Sequence, residues 1–381
     1  VYDKGHGLGA GSTGASSAVC RHRYSRVEMT QLARDGIQAY RHWRAFTGLA
    51  QPRAEFQHEG VLWLPGADLQ WAEREHRLLQ ELGVRSEVLD DRGVEAAFPA
   101  VNPCRLAPDF DTGEAHDCTG GGRHLLELDG GYIDPVNAIE DLRECCLAAG
   151  VTVSLGTEVT GVITRGGRVA AVDLANGERV SCPVLVNATG PWCRGLNALA
   201  GIDLQWDLVP TRIQVVYLDR PAALEGLIPV VADISGGIYF RTQNRGQQLV
   251  VGSVREEDDR EAVADPDEFQ RSVDEDFELR VLHALHHRLS RLPYRGRIRG
   301  YCGLYTTNRD DMHPVLGESE LGGFWFANGF SGHGFKLAPA IGSLVAQAIC
   351  GQSTDFDTGL PLDWLHVRRQ PIEMAWRSVL A

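Results

Sequence analysis

Residues Phe324 to Lys336 read Phe-Trp-Phe-Ala-Asn-Gly-Phe-Ser-Gly-His-Gly-Phe-Lys, and this stretch constrains the fold more than any other. An apolar run of strand character delivers a turn with three glycines to an apolar helix that runs on to Cys350. Small residues let backbone N–H groups approach an electron-rich ligand closely, and the helix start adds partial positive charge. Such a turn suits an electron-accepting ring that gathers negative charge at one edge. Alone, it is equally a glycine-rich turn with no ligand.

Two more segments follow the same logic. Val184-Leu185-Val186 is continuous rather than alternating, as in a strand covered on both faces, and it runs into Asn187-Ala188-Thr189-Gly190-Pro191-Trp192. Near the start, Val1-Tyr2-Asp3-Lys4 reads as the end of a buried strand ahead of a glycine-rich loop at 5–14. A strand needs neighbours, so an upstream segment is expected to have been lost. Asp3 at a strand end is what a ribose hydroxyl requires, but the phosphate-binding glycine fingerprint expected about 20 residues earlier is not in the chain.

Between these segments the elements are well signalled. Ser25-Arg26-Val27-Glu28 fits a capping box, Met29, Leu32, Ala33, Tyr40 and Trp43 form an apolar stripe, and Gly48 stops the helix. The pattern over 55–129 is mixed and loop-rich and suits a cap domain. Asp134-Pro135 opens a second helix that Gly150 closes, and strands are expected at 151–155, 158–164, 168–174 and 179–187. Hairpin turns at Gly166-Gly167 and Asn176-Gly177 join them. Further strands are expected at 237–240 and 248–253, with an acidic helix at 267–288. No internal repeat or low-complexity segment interrupts the chain.

A formal net charge of −14, with no long basic cluster, argues against a nucleic-acid partner. No apolar run approaches the roughly 20 residues of a membrane span, and no secretory signal opens the chain, so a cytoplasmic protein is expected. The nine cysteines are odd in number, scattered and never spaced CxxC, which favours reduced thiols. Neighbouring Cys145 and Cys146 fall in a helical pattern and point in different directions, which suits packing rather than a redox pair.

Four segments together resemble the D-amino-acid oxidase superfamily of FAD enzymes, particularly its sarcosine oxidase, glycine oxidase and dimethylglycine dehydrogenase branches. They are Gly9-Ala10-Gly11-Ser12-Thr13-Gly14-Ala15-Ser16-Ser17, Gly131-Tyr132-Ile133-Asp134-Pro135, Val186 to Trp192, and Gly329 to Leu337. The resemblance implies an α/β fold. A FAD-binding Rossmann-like domain of glutathione-reductase type (1–50, 127–205 and 310–381) interleaves with an α+β substrate domain built on a mostly antiparallel sheet (51–126 and 206–309).

The resemblance also implies roles. Asp3 looks like the ribose ligand, and Thr13, Gly14, Ala15, Ser16 and Ser17 look like the loop along the flavin. Val159 resembles the residue whose backbone meets the adenine, with Ala188, Thr189, Gly190 and Trp192 beside the adenosine half. Gly332, His333, Gly334, Phe335 and Lys336 would face the isoalloxazine ring. Arg21 and Lys336 match the pair that holds a substrate carboxylate, a planar fork and a point charge arriving from distant segments. His22 either tunes the substrate amine or packs a loop.

Covalent relatives attach FAD through a His where Ala15 stands, or through a Cys where Gly303 stands, one residue after Cys302. Non-covalent FAD is therefore expected. The Lys that speeds oxygen reduction in some relatives is replaced near Val250. The expected activity is oxidation at the C–N bond of a small N-methyl or cyclic amino acid, with oxygen or another electron acceptor. The alternative is a non-catalytic flavin-binding protein that acts in assembly or as a chaperone.

Overall fold

Two long strands rich in β-branched and aromatic residues, Leu208–Asp219 and Ile298–Asn308, pair antiparallel along nearly their whole length and begin an eight-stranded sheet. This computed structural model describes residues 1–114, 116–292 and 298–373. The sheet continues through Gln248–Ser253, Ile238–Gln243, Val230–Asp233, Val61–Leu64 and Arg123–Glu127 to Ser86–Asp90. Only the pairing of Val230–Asp233 with Val61–Leu64 is parallel, so the sheet is mostly antiparallel.

One face carries Leu62, Val231, Phe240, Leu249 and Val251 against Phe277, Val281, Ala284 and Leu285 of helix Glu275–Arg288. The other face holds Trp63, Leu125 and Val230 against Trp71, Ala72 and Leu79 of helix Trp71–Glu81. Period-two alternation along each strand supplies both faces. Asp233 is buried in the sheet and pairs with the equally buried Arg288 at 2.6 Å.

The remaining strands form smaller sheets. Tyr2–Asp3 runs parallel to Ser154–Leu155; Val159–Arg165, Arg168–Leu174 and Arg179–Ser181 make a meander; and Leu185–Asn187 lies parallel to Phe324–Asn328, which also pairs with Val315–Glu318. Against them the helices Val27–Arg41 and Gly334–Cys350 cross closely, burying Met29, Leu32, Ala33, Ile37, Leu337, Ala340 and Ile341 in one core. The crossing depends on Gly36, because a Cβ there would strike the Lys336 carbonyl.

Several local expectations are corrected. The capping box at Ser25 does not form: Arg26 is the N-cap, with no side-chain cap bond, and Thr30 Oγ1 donates back to its carbonyl. The helix also breaks at His42, and a short helix, Trp43–Thr47, runs on to Gly48, which takes a left-handed φ of 68°. The strand expected at 179–187 is interrupted around Pro183, which has no N–H for a ladder. Val186 is 37% exposed, so the face it shares with Ala188 has no protein layer over it among the described residues. Val1 is likewise exposed, and Tyr2–Asp3 is not a buried strand end. The acidic helix starts only at Glu275, eight residues later than expected, because Arg212 draws the Gln270 and Ser272 carbonyls and the Asp274 carboxylate onto itself.

By contrast, Asp134 caps Pro135–Ala148 by accepting from Asn137 N, and Gly150 follows with φ 78°. All nine cysteines are free thiols; Cys145 and Cys146 are half-buried, with the Cys145 thiol on the Thr47 carbonyl. Among the described residues no helix is long and apolar enough to cross a membrane.

Candidate active site

Residues 5–18 fold into nested turns. Ala10 N donates to Gly7 O, Gly14 N to Gly9 O and Ser16 N to Thr13 O. Ala18, with a strained φ of 49°, ends the loop, and its N–H donates to Ser16 Oγ. Two strands of the large sheet hold the loop from below: Ser12 Oγ donates to Leu304 O, and Arg241 Nε to Ser17 O at 2.6 Å. Gly303 faces Ala15 so closely that an added Cβ would sit 2.7 Å from the Ala15 methyl. The structure thus brings together the two positions where relatives tether flavin, and neither carries a nucleophile. Cys302 is not a substitute, since its buried thiol donates to Ser272 O at 3.3 Å and burial raises its pKa.

The turn before the last long helix is strapped to the same sheet. Ser331 has φ 47°; its N–H donates to Thr306 O, and its hydroxyl accepts from Asn308 N. Asn328 accepts from Gly190 N and donates to Asn187 O, tying this turn to the one at 188–190. Ala188 and Thr189 are exposed there. Gly332 has φ 84°, and His333 and Gly334 begin the helix. Phe335 is not turned toward the loop: its ring stacks on Tyr40 at 5.1 Å, and Tyr40 Oη donates to its carbonyl.

At the far end of the first loop, Arg21 and Lys336 converge on Tyr24. The Arg21 guanidinium lies 4.1 Å from the ring centroid and Lys336 Nζ lies 5.9 Å from it. Both cations are buried, and Lys336 has no hydrogen-bond or ion-pair partner among the described residues. Burial, then the neighbouring Arg21 charge, brings the Lys336 ammonium down to about 7. His333 packs edge-on to Tyr24 at 5.2 Å, and burial followed by Lys336 keeps its imidazole neutral well below the usual range. Burial also raises the thiol of Cys20, beside them, to about 12. Tyr24 Oη and His333 Nδ1 are buried with no partner. A buried polar cluster of two cations and two orphaned atoms fits a bound anionic ligand better than an apolar core.

His22 is occupied otherwise. Its backbone N–H and its Nδ1 both meet Glu127 Oε2, at 2.6 and 3.0 Å, while Oε1 takes Arg23 N and Trp63 Nε1. Burial works to raise the pKa of this carboxyl, but the bonds it receives, His22's first, hold it below the usual value.

The remaining expected residues lie apart from this cluster. Asp3 accepts from Gly5 N, and its carbonyl takes Thr157 N, two residues before Val159. The Trp192 ring lies beside Gly11 under Lys4, its Nε1 on Asp267. Trp192 and Lys4 thus lie against the first half of the loop, whereas Arg21 and Lys336 lie beyond its far end.

Three side chains in this region were not expected from the sequence: Tyr24, Glu127 and Arg241. Arg241 is 3% exposed, sits 4.2 Å from the Tyr132 ring centroid, donates to the Ser17 and Thr242 carbonyls, and has no carboxylate partner among the described residues. The available signal was a lone charge inside an apolar strand, as in Ile238-Tyr-Phe-Arg and in His124-Leu-Leu-Glu.

Residues 1–348 match the DAO family, described as FAD dependent oxidoreductase. The chain belongs to this family. FAD is accordingly its cofactor, and the enzyme is an oxidoreductase. It is 26% identical over 374 residues to the FAD-dependent oxidoreductase domain-containing protein 1 of Xenopus laevis, covering 89% of this chain and 70% of that one. Among solved structures it is similar to L-proline dehydrogenase from P. horikoshii, with TM-score 0.78, 21% identity and coverage of 94% and 88% of the two chains. It is also similar to glycine oxidase from Geobacillus kaustophilus, with TM-score 0.74, 20% identity and coverage of 97% and 91%. The fold is thus the α/β fold of this family, with a large, mostly antiparallel sheet.

Proposed function

We propose that this DAO-family protein oxidises the carbon–nitrogen bond of a small amino acid, an N-methyl or cyclic amine with a free carboxylate, in a cytoplasmic setting. The observation that carries this reading is the buried, unpartnered Lys336 beside Arg21, which leaves an excess of positive charge that a substrate carboxylate neutralises. Similarity to proteins named L-proline dehydrogenase and glycine oxidase supports the substrate class.

FAD, held without a covalent bond, supplies the hydride acceptor. The turns at 13–17 and 332–334 would line its ring, with Ala188, Thr189, Gly190, Trp192, Val159 and Asp3 on the adenosine side. Arg21 and Lys336 would grip the carboxylate and so aim the carbon next to nitrogen at the ring, an orientation effect rather than acid–base chemistry. Glu127, through His22 and Arg23, would fix the backbone that carries Arg21. His22 would thus act as a positioning residue. Tyr24 and the neutral His333 would keep water from the carboxylate end. Val250, buried and uncharged, would leave oxygen reduction without the cation some relatives use there, so oxygen and another electron acceptor are both to be assayed.

The test is an anaerobic titration of the yellow, full-length protein with sarcosine, dimethylglycine, proline and pipecolate. Bleaching of the flavin by at least one, weakened in Lys336→Met, supports the reading. A flavin that none of them bleaches overturns it and leaves a non-catalytic flavin-binding role in assembly.

A further inference from the structure

We propose that Cys104, His116 and Cys118 form a binding site for a zinc-class divalent metal that staples a long connection of the substrate region onto helix Glu275–Arg288. This inference is independent of the flavin reading. One donor atom from each residue lies within 4.8 Å of the other two, and Cys104 Sγ is 3.6 Å from His116 Nε2. Tetrahedral zinc, with Zn–S of about 2.3 Å and Zn–N of about 2.0 Å, needs donor separations of roughly 3.5–3.8 Å, so one edge is already in place. Two thiols with an imidazole are a donor set that selects zinc over magnesium or calcium.

A fourth ligand lies within a side-chain adjustment at His287, whose ring nitrogens do not yet come within 4.8 Å of all three donors. Its ring centroid is 4.8 Å from that of His116, and its Nε2 is buried with no partner. Outer contacts that would orient the ligands are present as well. Asn102 Nδ2 lies 3.3 Å from Cys118 Sγ and also donates to the His287 carbonyl. Arg288, neutralised by Asp233, donates to the Asn102 and Cys104 carbonyls and fixes the backbone that carries Cys104.

The fold gives the metal a task. Residues 98–122, between helix Asp91–Ala97 and strand Arg123–Glu127, contain no described helix or strand. Their first half is tied to helix Glu275–Arg288 through Asn102 and Cys104, and beyond it His283 Nε2 meets the Asp109 carbonyl and Phe110 packs on the His283 ring. A connection this long is unusual without a ligand or staple. Two thiolates would balance the ion's charge, so the closed site would be neutral.

Equilibrium dialysis of the reduced full-length protein against Zn2+, with bound metal counted by mass spectrometry, decides the matter. One zinc per chain is expected, with a rise in unfolding temperature on loading. Cys118→Ser, an exposed and conservative change, should weaken binding at least tenfold while far-UV circular dichroism stays unchanged; His287→Ala should weaken it less if water replaces the imidazole. Stoichiometric zinc retained equally by Cys104→Ser and Cys118→Ser overturns the site. So does the absence of stoichiometric zinc in the reduced wild type, or a Cys104–Cys118 disulfide in protein kept under reducing conditions throughout.

Discussion

Replacing Lys336 by Met probes the site at its least compensated charge. The fall of the ammonium from 10.5 to about 7 is worth about 5 kcal/mol at about 1.36 kcal/mol per pH unit. Because the folded value lies below the unfolded one, the unfolded chain binds more protons between about pH 7 and 10.5, and stability from this group rises with pH across that window. Below about pH 7 the full cost of a buried cation is present. Met has a similar length and no charge, so urea unfolding of the ligand-free variant should show it more stable than wild type by about 2–5 kcal/mol at pH 6, with the gap narrowing toward pH 9.

A bound carboxylate reverses that balance, because it favours the charged ammonium. Affinity of the wild type for an unreactive carboxylate analogue should fall by up to about tenfold per pH unit above about pH 7. The variant should bind the analogue about 10–100-fold more weakly at pH 6, as expected for loss of a charge-assisted bond of about 1.5–3 kcal/mol, and with no such pH dependence. Calorimetric titration at pH 6, 7 and 8 reads both effects. A variant that binds as tightly as wild type at pH 6, or that is less stable there, refutes the assignment of Lys336 as an uncompensated carboxylate ligand.

Three further changes address the supports of the site. Gly36→Ala drives a methyl into the Lys336 carbonyl and should cost about 1–3 kcal/mol of stability along with flavin affinity, read by thermal unfolding and by FAD titration. Glu127→Gln removes the carboxylate charge that accepts from His22 and from the backbone N–H groups of His22 and Arg23, and should destabilise the protein by about 3–5 kcal/mol in urea. Arg241→Lys keeps the charge and loses the planar fork that reaches the Ser17 and Thr242 carbonyls; if Arg241 shares in holding the carboxylate, KM should rise about tenfold or more with a smaller change in kcat.

What was legible in the sequence was whatever local rules agreed on. The strand Phe324–Asn328 and the end of the helix at Cys350 emerged where expected, and the helix starts at Gly334, one residue before the expected Phe335, because an apolar strand, a glycine turn and an apolar helix all point the same way there. Asp134 and Pro135 similarly agree on a helix start. Ser25 failed as a cap because the following Arg26 takes the cap position, a choice that motif spacing does not reveal. Glu127 and Arg241 were missed for a different reason. The donors that satisfy Glu127 come from His22 and Arg23, more than a hundred residues away, and the acceptor of Arg241 Nε is Ser17 in the first loop. A buried charge becomes interpretable only when its distant partners are known. Lys336 was found only because a family motif marked it, since nothing local distinguishes it from a surface lysine.

Those distant bonds tie the first loop to the large sheet. Glu127 ends a strand of the large sheet, yet three of its four bonds go to the segment that carries Arg21. Arg241, in the middle of another strand of that sheet, holds the end of the loop at Ser17. The loop's other fixed point is Leu304, on a third strand. A shift of the sheet would therefore move the loop and the segment that carries Arg21 together, because these bonds cross between them. On the proposed reading, the geometry between ring and carboxylate would be set by the sheet as well as by the loop's own turns. It follows that substitutions in the strand interiors at 125–127 and 240–242 should alter catalysis even where the altered side chain touches no ligand, whereas changes at exposed hairpin-turn positions such as Gly166 and Asn176 should not.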